Sequence, residues 1–186
     1  MKYILQAIIA FLLTIMVSGC AADAELTPEQ QTLVQNQEEV YTQVPMWTER
    51  NRVYGTNYSR GLLIPINSKV KILEANSKEI IFEWNGQKIT YLVYTKHTHA
   101  NTSEMLERLF AKKPVNLSKY KHAKAIKNAN VLIGMTKKEV LLARGYPPFH
   151  ATPSLDADQW KYWHHKFSTA YVVFKNGKVL GVRGTL

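Results

Sequence analysis

Residues 131–182 read VLIGMTKKEVLLARGYPPFHATPSLDADQWKYWHHKFSTAYVVFKNGKVLGV, and this stretch decides the fold. Thr136-Lys137-Lys138-Glu139 is a capping box, with Thr at the N-cap and Glu three residues on, each satisfying a donor that the helix start leaves free. Val140, Leu141 and Ala143 are expected to face inward. Gly145 supplies the left-handed turn that ends a helix, and Pro147 and Pro148 prevent its continuation. After a loop rich in Pro, Ser and Asp come two alternating runs, about 159–165 and 169–175. Asn176-Gly177 is a type I′ turn signal that leads the second run into a third at 178–183. A second helix over about 118–129 precedes all of this, so the order is helix, helix, antiparallel meander, an α+β unit.

Gly134-Met135-Thr136, Glu139-Val140, Gly145 with Pro147, Trp160 with Tyr162, and Phe174 closing on Asn176-Gly177-Lys178-Val179 resemble the SmpA/OmlA (BamE-like) family of outer-membrane lipoproteins. The resemblance spans about 125–183 and implies two helices packed on a three-stranded antiparallel sheet. It also implies a non-enzymatic accessory subunit in envelope assembly. This chain departs from the family in its Gly-Tyr-Pro-Pro string, in the extended ATPSLDAD loop, and in about sixty strand-rich residues that precede the module.

Those preceding residues are short, β-branched runs: LLIPI from Leu62, KVKILEA (69–75), KEIIFEW (78–84) and KITYLVYT (88–95). Val70 and Ile72 alternate with Lys69 and Lys71, the period of a half-buried strand, and Asn85-Gly86 is a hairpin signal. Four short antiparallel strands predict a small barrel or curled sheet that looks like an SH3-like module. Residues 102–112 turn helical, with Met105, Leu106, Leu109 and Phe110 on one face. The expected divisions are a β-rich module at 51–112 and the α+β module at 113–186.

Further out lies the N-terminus. Lys2 precedes an apolar run from Tyr3 to Val17, about five residues short of the roughly 20 that span a bilayer. Val17-Ser18-Gly19-Cys20 follows, in the order of a secretory signal and its cleavage site. These four residues resemble a bacterial lipobox. That resemblance implies cleavage after residue 19, acylation of Cys20 (diacylglyceryl and then an amide-linked chain such as palmitate), and a periplasm-exposed mature protein. Two or three acyl chains hold a protein to a membrane without any spanning helix. Ala21, not Asp, follows the Cys, which favours outer-membrane sorting over inner-membrane retention. Residues 20–50 are read as an acidic tether with one helix of about fourteen residues, started by Thr27-Pro28-Glu29-Gln30. It is either laid on the body or a mobile stalk.

The chain has 186 residues, with 24 Lys+Arg against 14 Asp+Glu, a net charge of +10. A single Cys excludes an intramolecular disulfide and a Cys-ligated zinc site. Charge is unevenly spread: residues 20–50 carry one basic and six acidic residues, 51–186 carry 22 basic and eight acidic. Lys119, Lys121, Lys124 and Lys127 concentrate the positive side. A basic body on a bilayer is drawn to anionic headgroups or to an acidic partner, and nucleic acid is not expected in an exported protein.

Trp160, Tyr162, Trp163 and His165 form the densest aromatic cluster and are the candidate partner-binding residues. On a strand Trp160 and Tyr162 share one face, Trp163 and His165 the other, so one pair packs inward and the other is free to dock. His97 and His99, the pair His164-His165, and Asp156 with Asp158 are weaker metal candidates, read as loop or turn residues, so no metal or cofactor is expected. No GxSxG elbow, HExxH or P-loop is present. The expected function is therefore a non-catalytic scaffold or accessory subunit of an envelope complex. A peptidoglycan- or peptide-binding module is the alternative, and an enzyme of unknown class the third reading.

Overall fold

The computed structural model describes residues 22–186; Val17, Ser18, Gly19 and Cys20 lie outside the described residues. The fold is α+β: a six-stranded sheet with short helices, a two-stranded ribbon, and a separate three-stranded antiparallel sheet.

Helix α1 (Pro28–Gln35) starts on Thr27, whose side chain accepts from the Gln30 amide while the Gln30 side chain accepts from the Thr27 amide. It has eight residues, not fourteen. The tether reading fails beyond it, because Glu39–Thr42 and Met46–Thr48 are strands β1 and β2. Val40 and Thr42 are fully buried there. The helix itself is docked: Gln30 Nε2 donates to the Ser103 carbonyl at 3.0 Å, and Ser103 Oγ donates back to Gln30 Oε1 at 2.7 Å. Upstream of α1, the Ser77 amide donates to the Ala22 carbonyl at 2.9 Å.

The meander β5 (Lys69–Ala75), β6 (Glu79–Trp84) and β7 (Gln87–Leu92) forms as its alternation dictates. Asn85 (φ 51°) and Gly86 (φ 75°) make the turn between β6 and β7. Ile72 pairs with Phe82, and Phe82 with Ile89, a cross-strand row with no exposure at all. The expected four-stranded meander is otherwise replaced. Strand β4 (Leu62–Ile64) leaves it to pair with β2, while β3 (Arg52–Tyr54) joins the sheet parallel to β7. β1 and β8 (Phe110–Ala111) complete the order β3-β7-β6-β5-β1-β8. A short turn of helix, α2 (Thr95–Thr98), precedes α3 (Thr102–Leu109), which lays Met105, Leu106 and Leu109 on this core.

The second core is the C-terminal unit. The helix expected over 118–129 is a 3-10 turn (Leu117–Lys119) followed by α4 (Ala123–Lys127). Helix α5 (Lys137–Arg144) has the expected capping box and ends at Gly145, φ 73°. Its inward residues are Val140, Leu142 and Ala143, with Leu141 only partly buried, and Glu139 and Arg144 are buried too. Strands β9 (Gln159–His165), β10 (Ser168–Lys175) and β11 (Lys178–Gly184) pack Trp160, Tyr162, Val172, Phe174 and Val179 against the helices. A bulge in β9 at His164 sets Trp163 opposite Thr169 but His165 opposite Ser168. The extra residue breaks the alternation, so His165 lies on the face opposite Trp163 and not beside it.

The two units are stitched by asparagines in left-handed backbone conformation. Asn57 (φ 52°) donates its amide to the carbonyls of Arg144 at 2.6 Å and Tyr146 at 3.0 Å. Asn67 (φ 64°) exchanges two hydrogen bonds with the Val115 peptide. Ile66 inserts from the first unit into the second core.

Candidate functional site

Two of the four aromatic-cluster candidates are core residues. Trp160 and Tyr162 have no solvent exposure, and the Tyr162 hydroxyl donates to the Gly145 carbonyl at 2.9 Å, so neither is open to a partner. With His165 turned away by the bulge, Trp163 alone of the four remains on the outer sheet face. There it joins Lys161 and Tyr171 from the neighbouring positions, all three half-buried. Lys161 Nζ sits 4.8 Å from the Trp163 ring centre and 5.3 Å from that of Tyr171, so a cation lies between two aromatic faces. Helices α4 and α5 occupy the opposite face of the sheet. At the hairpin tip beside it Phe167 is 84 % exposed. Lys119, Lys121, Lys124 and Lys127 are all exposed, and none makes an ion pair among the described residues.

The face runs into the joint between the units. His150 stands 5.3 Å from Trp163 and places its Nδ1 2.9 Å from Nδ1 of His97. His99 turns away to stack on Phe149 at 4.0 Å. His97 and His99 therefore diverge, and the partner of His97 comes from 53 residues away. Burial, then the charges of His97, Lys161 and Lys96, hold the His150 imidazole below the usual histidine range. Behind the histidines lies a cavity of about 270 Å3 with walls from Val44, Val53, Tyr54, Met105, Tyr146 and Phe149. Arg108 closes one side, donating to the Thr98 carbonyl at 3.1 Å and lying over the Tyr146 ring. The wall residues include histidine and arginine but no carboxylate, cysteine or lysine.

No family model, curated protein or solved structure matches this chain. The chemistry is therefore read from its own side chains. No group of three or more His, Cys, Asp and Glu is placed to hold a metal among the described residues. Asp158 pairs with Lys137 at 3.6 Å, and Lys137 also donates to the Asp156 carbonyl at 2.6 Å, which gives that loop a structural use. His164 Nδ1 lies 3.3 Å from Ser59 Oγ, a further contact between the units.

Two buried charges in α5 were not among the sequence candidates. Glu139 is 4 % exposed. Burial alone would raise its pKa, but bonds from the Thr136 amide, the His122 side chain, the Thr136 hydroxyl and the His122 amide outweigh it and hold the carboxyl at about 2. Arg144 is the opposite case. It is 3 % exposed, its Nε and Nη2 have no hydrogen-bond partner among the described residues, and no carboxylate lies within ion-pair distance. Burial pushes its pKa down to about 10. Its guanidinium lies 4.4 Å from the Trp47 ring centre and 5.8 Å from that of Tyr162. Aromatic stacking is worth about 0.5–2 kcal/mol and a place at a helix C-terminus about 0.3–1, against a desolvation cost of several kcal/mol for a buried ion. The spacing of a capping box foretold Glu139 as a helix start; nothing local foretold that Arg144 would be covered by Trp47, nearly a hundred residues earlier.

Proposed function

We propose that this chain is a bacterial lipoprotein, anchored through acylated Cys20 to the periplasmic side of the outer membrane, that serves as a non-catalytic accessory or scaffold subunit of an envelope assembly complex. The observation that carries this reading is the outer face of the β9–β11 sheet. A half-buried Lys161–Trp163–Tyr171 cluster and the exposed Phe167 mark this face and its hairpin tip, while Trp160, Tyr162, Val172, Phe174 and Val179 of the inner face are buried. Aromatic side chains, Trp and Tyr above all, are among the commonest anchors of protein interfaces. The order α4, α5, then a three-stranded antiparallel sheet supports the likeness of 113–186 to a BamE-like module. The β5–β6–β7 meander supports an SH3-like reading of the first unit.

The test is detergent extraction and cross-linking of the wild-type chain beside Trp163→Ala and Cys20→Ala. A defined partner should stay with the wild type through a salt series and be lost from Trp163→Ala, and Cys20→Ala should leave the membrane fraction. A chain that emerges alone at every salt concentration and after cross-linking defeats the scaffold reading. The second reading, a module that binds peptidoglycan or peptide, is favoured by the aromatic-walled cavity in the joint. Retention of the pure protein on insoluble sacculi would establish it in place of the first.

A further inference from the structure

The cavity of about 270 Å3 in the joint has one charged corner, where Arg108 and Tyr91 meet. Other wall residues hold the guanidinium on two sides: Nη1 donates to the Thr98 carbonyl at 3.1 Å, and the group lies 5.5 Å from the Tyr146 ring centre. Tyr91 is 5 % exposed. Burial pushes its hydroxyl above the usual tyrosine range and the Arg108 charge pulls the other way, so the two groups are neighbours. Arg108 makes no ion pair among the described residues.

The free atoms of this corner are accessible. Arg108 Nε and Nη2 and the Tyr91 hydroxyl make no hydrogen bond among the described residues, yet none of the three is sealed from solvent. Nε and Nη2 form the edge that grips a carboxylate as a fork, the use that Arg60 shows on the Glu49 carboxylate. His99, Pro153 and Leu155 belong to the wall and are exposed, so the cavity opens to solvent as it stands. The rest of the wall is largely apolar, with Val44, Met46, Val53, Met105 and Leu109 all buried. Apolar walls with a few placed polar groups are the usual form of a small-molecule site. No carboxylate of the wall offsets the Arg108 charge, so the corner lacks one negative group.

We propose that the joint cavity binds a small monocarboxylic acid with a compact aromatic or aliphatic body, its carboxylate on the Nε–Nη2 edge of Arg108 beside the Tyr91 hydroxyl and its body against Met46, Val53 and Met105. One guanidinium and one hydroxyl suit one planar carboxylate, whereas a phosphate, with more charge and three acceptor oxygens, calls for further cations. A volume of 270 Å3 equals about nine waters at ~30 Å3 each, the bulk of a ring or short branched chain with its carboxylate. The inference rests on the second reading above, that the joint takes a ligand, and names the class of that ligand. It is independent of the outer sheet face and of the lipid anchor.

The test follows isotope-labelled methionine methyls by NMR in the full chain as purified, in nanodiscs where it comes from the membrane. Met46 and Met105 line the cavity, while Met135 belongs to the other core and is the internal control; Met46→Leu, Met105→Leu and Met135→Leu assign the three signals. The probes are phenylacetate, phenylacetamide, acetate, inorganic phosphate and the tripeptide Gly-Gly-Phe at constant ionic strength. Phenylacetate should shift both cavity methyls saturably and leave Met135 still. The amide, which lacks the charge, and acetate, which lacks the body, should each bind at least about tenfold more weakly. Arg108 is only half-buried, so Arg108→Met should keep its fold, read from the Met135 methyl, and lose the preference for acid over amide. Arg108→Lys keeps the charge without the fork and should retain only part of that preference. Equal responses to acid and amide, equal shifts from phosphate, Gly-Gly-Phe binding as tightly as phenylacetate, a Met135 shift as large as that of Met46, or no shift would each overturn the proposal. So would an acid preference that survives in Arg108→Met or, should that variant unfold, stays undiminished in Arg108→Lys. Retention on sacculi without a response to phenylacetate would overturn this inference and leave the second reading standing.

Discussion

Glu139 couples the stability of the C-terminal unit to acid. Its carboxylate accepts four bonds, from the Thr136 amide at 2.9 Å, the Thr136 hydroxyl at 3.0 Å, His122 Nδ1 at 2.9 Å and the His122 amide at 3.2 Å. These tie the start of α5 to the segment that opens α4. Lowering the carboxyl from the usual 4.5 to about 2 corresponds to about 3 kcal/mol at full value, and to about 2 kcal/mol once solvent screening at the edge of the unit is allowed for. The folded-state pKa is depressed, so this stability is complete above pH 4.5 and is lost as pH falls from 4.5 through 2. Glu139→Gln keeps the shape and removes the charge. At pH 7 it should be less stable by about 2 kcal/mol, which lowers the midpoint by roughly 4–8 °C in a chain of this size. At pH 2 the gap should shrink below about 1 kcal/mol, because the carboxyl is then about half protonated in the folded wild type and almost wholly protonated in the unfolded chain. Urea unfolding followed by tryptophan fluorescence at pH 7, 4 and 2 measures the gap directly, and the buried Trp160 lies in the same core. Other carboxylates titrate in both proteins and cancel in the difference. A gap that stays constant from pH 7 to 2, or no gap at pH 7, would refute the account.

The two tryptophans of β9 should separate structure from docking. Trp160→Ala should cost about 3–5 kcal/mol as a large core truncation, whereas Trp163→Ala should change stability by under about 1 kcal/mol; similar losses in a denaturant comparison would mean that the outer face is covered. The joint should weaken in mild acid. His150 is held below the usual histidine value, so as pH falls below about 6.5 the unfolded chain takes up the proton first and stability drops. His150→Gln should flatten the stability profile between pH 7 and 5, and an unchanged slope would show that the His97–His150 contact is not what titrates there.

What the sequence made legible was local chemistry. The capping boxes at Thr27 and Thr136, the turns at Asn85-Gly86 and Asn176-Gly177, and the three C-terminal strands all form where their residues predict. Each depends on residues within a few positions of one another. Failures came where a distant strand decided the outcome. The EVYT and MWT segments had too few apolar residues to announce strands, yet each pairs with a remote partner, Val40 with Val70 and Trp47 with Leu63. The alternation rule assigned His165 to the face of Trp163, and one bulged residue moved it across. Asn57, the main stitch between the units, carries no motif at all; its role comes from a left-handed backbone that aims its amide at the end of α5.

The uneven charge has a physical resolution that changes the picture of the N-terminus. Four of the six acidic residues in 20–50 pair with cations: Glu29 and Glu38 with Lys112, Glu39 with Lys69, and Glu49 with Arg60. Exposed pairs contribute only about 0–1 kcal/mol each, so they steer this segment onto the body, while β1 pairing and the Gln30–Ser103 bonds hold it there. The segment is thus part of the body and no spacer. Ala22 is bonded to Ser77 in the β5–β6 turn, and two residues of chain reach at most about 7 Å. Anchoring at Cys20, as proposed, would therefore press the β5–β6 end of the first unit against the headgroups and leave little freedom to stand off. The basic stretch at Lys119–Lys127 takes no part in neutralising the acidic segment, so its charge remains available to anionic lipid or to an acidic partner.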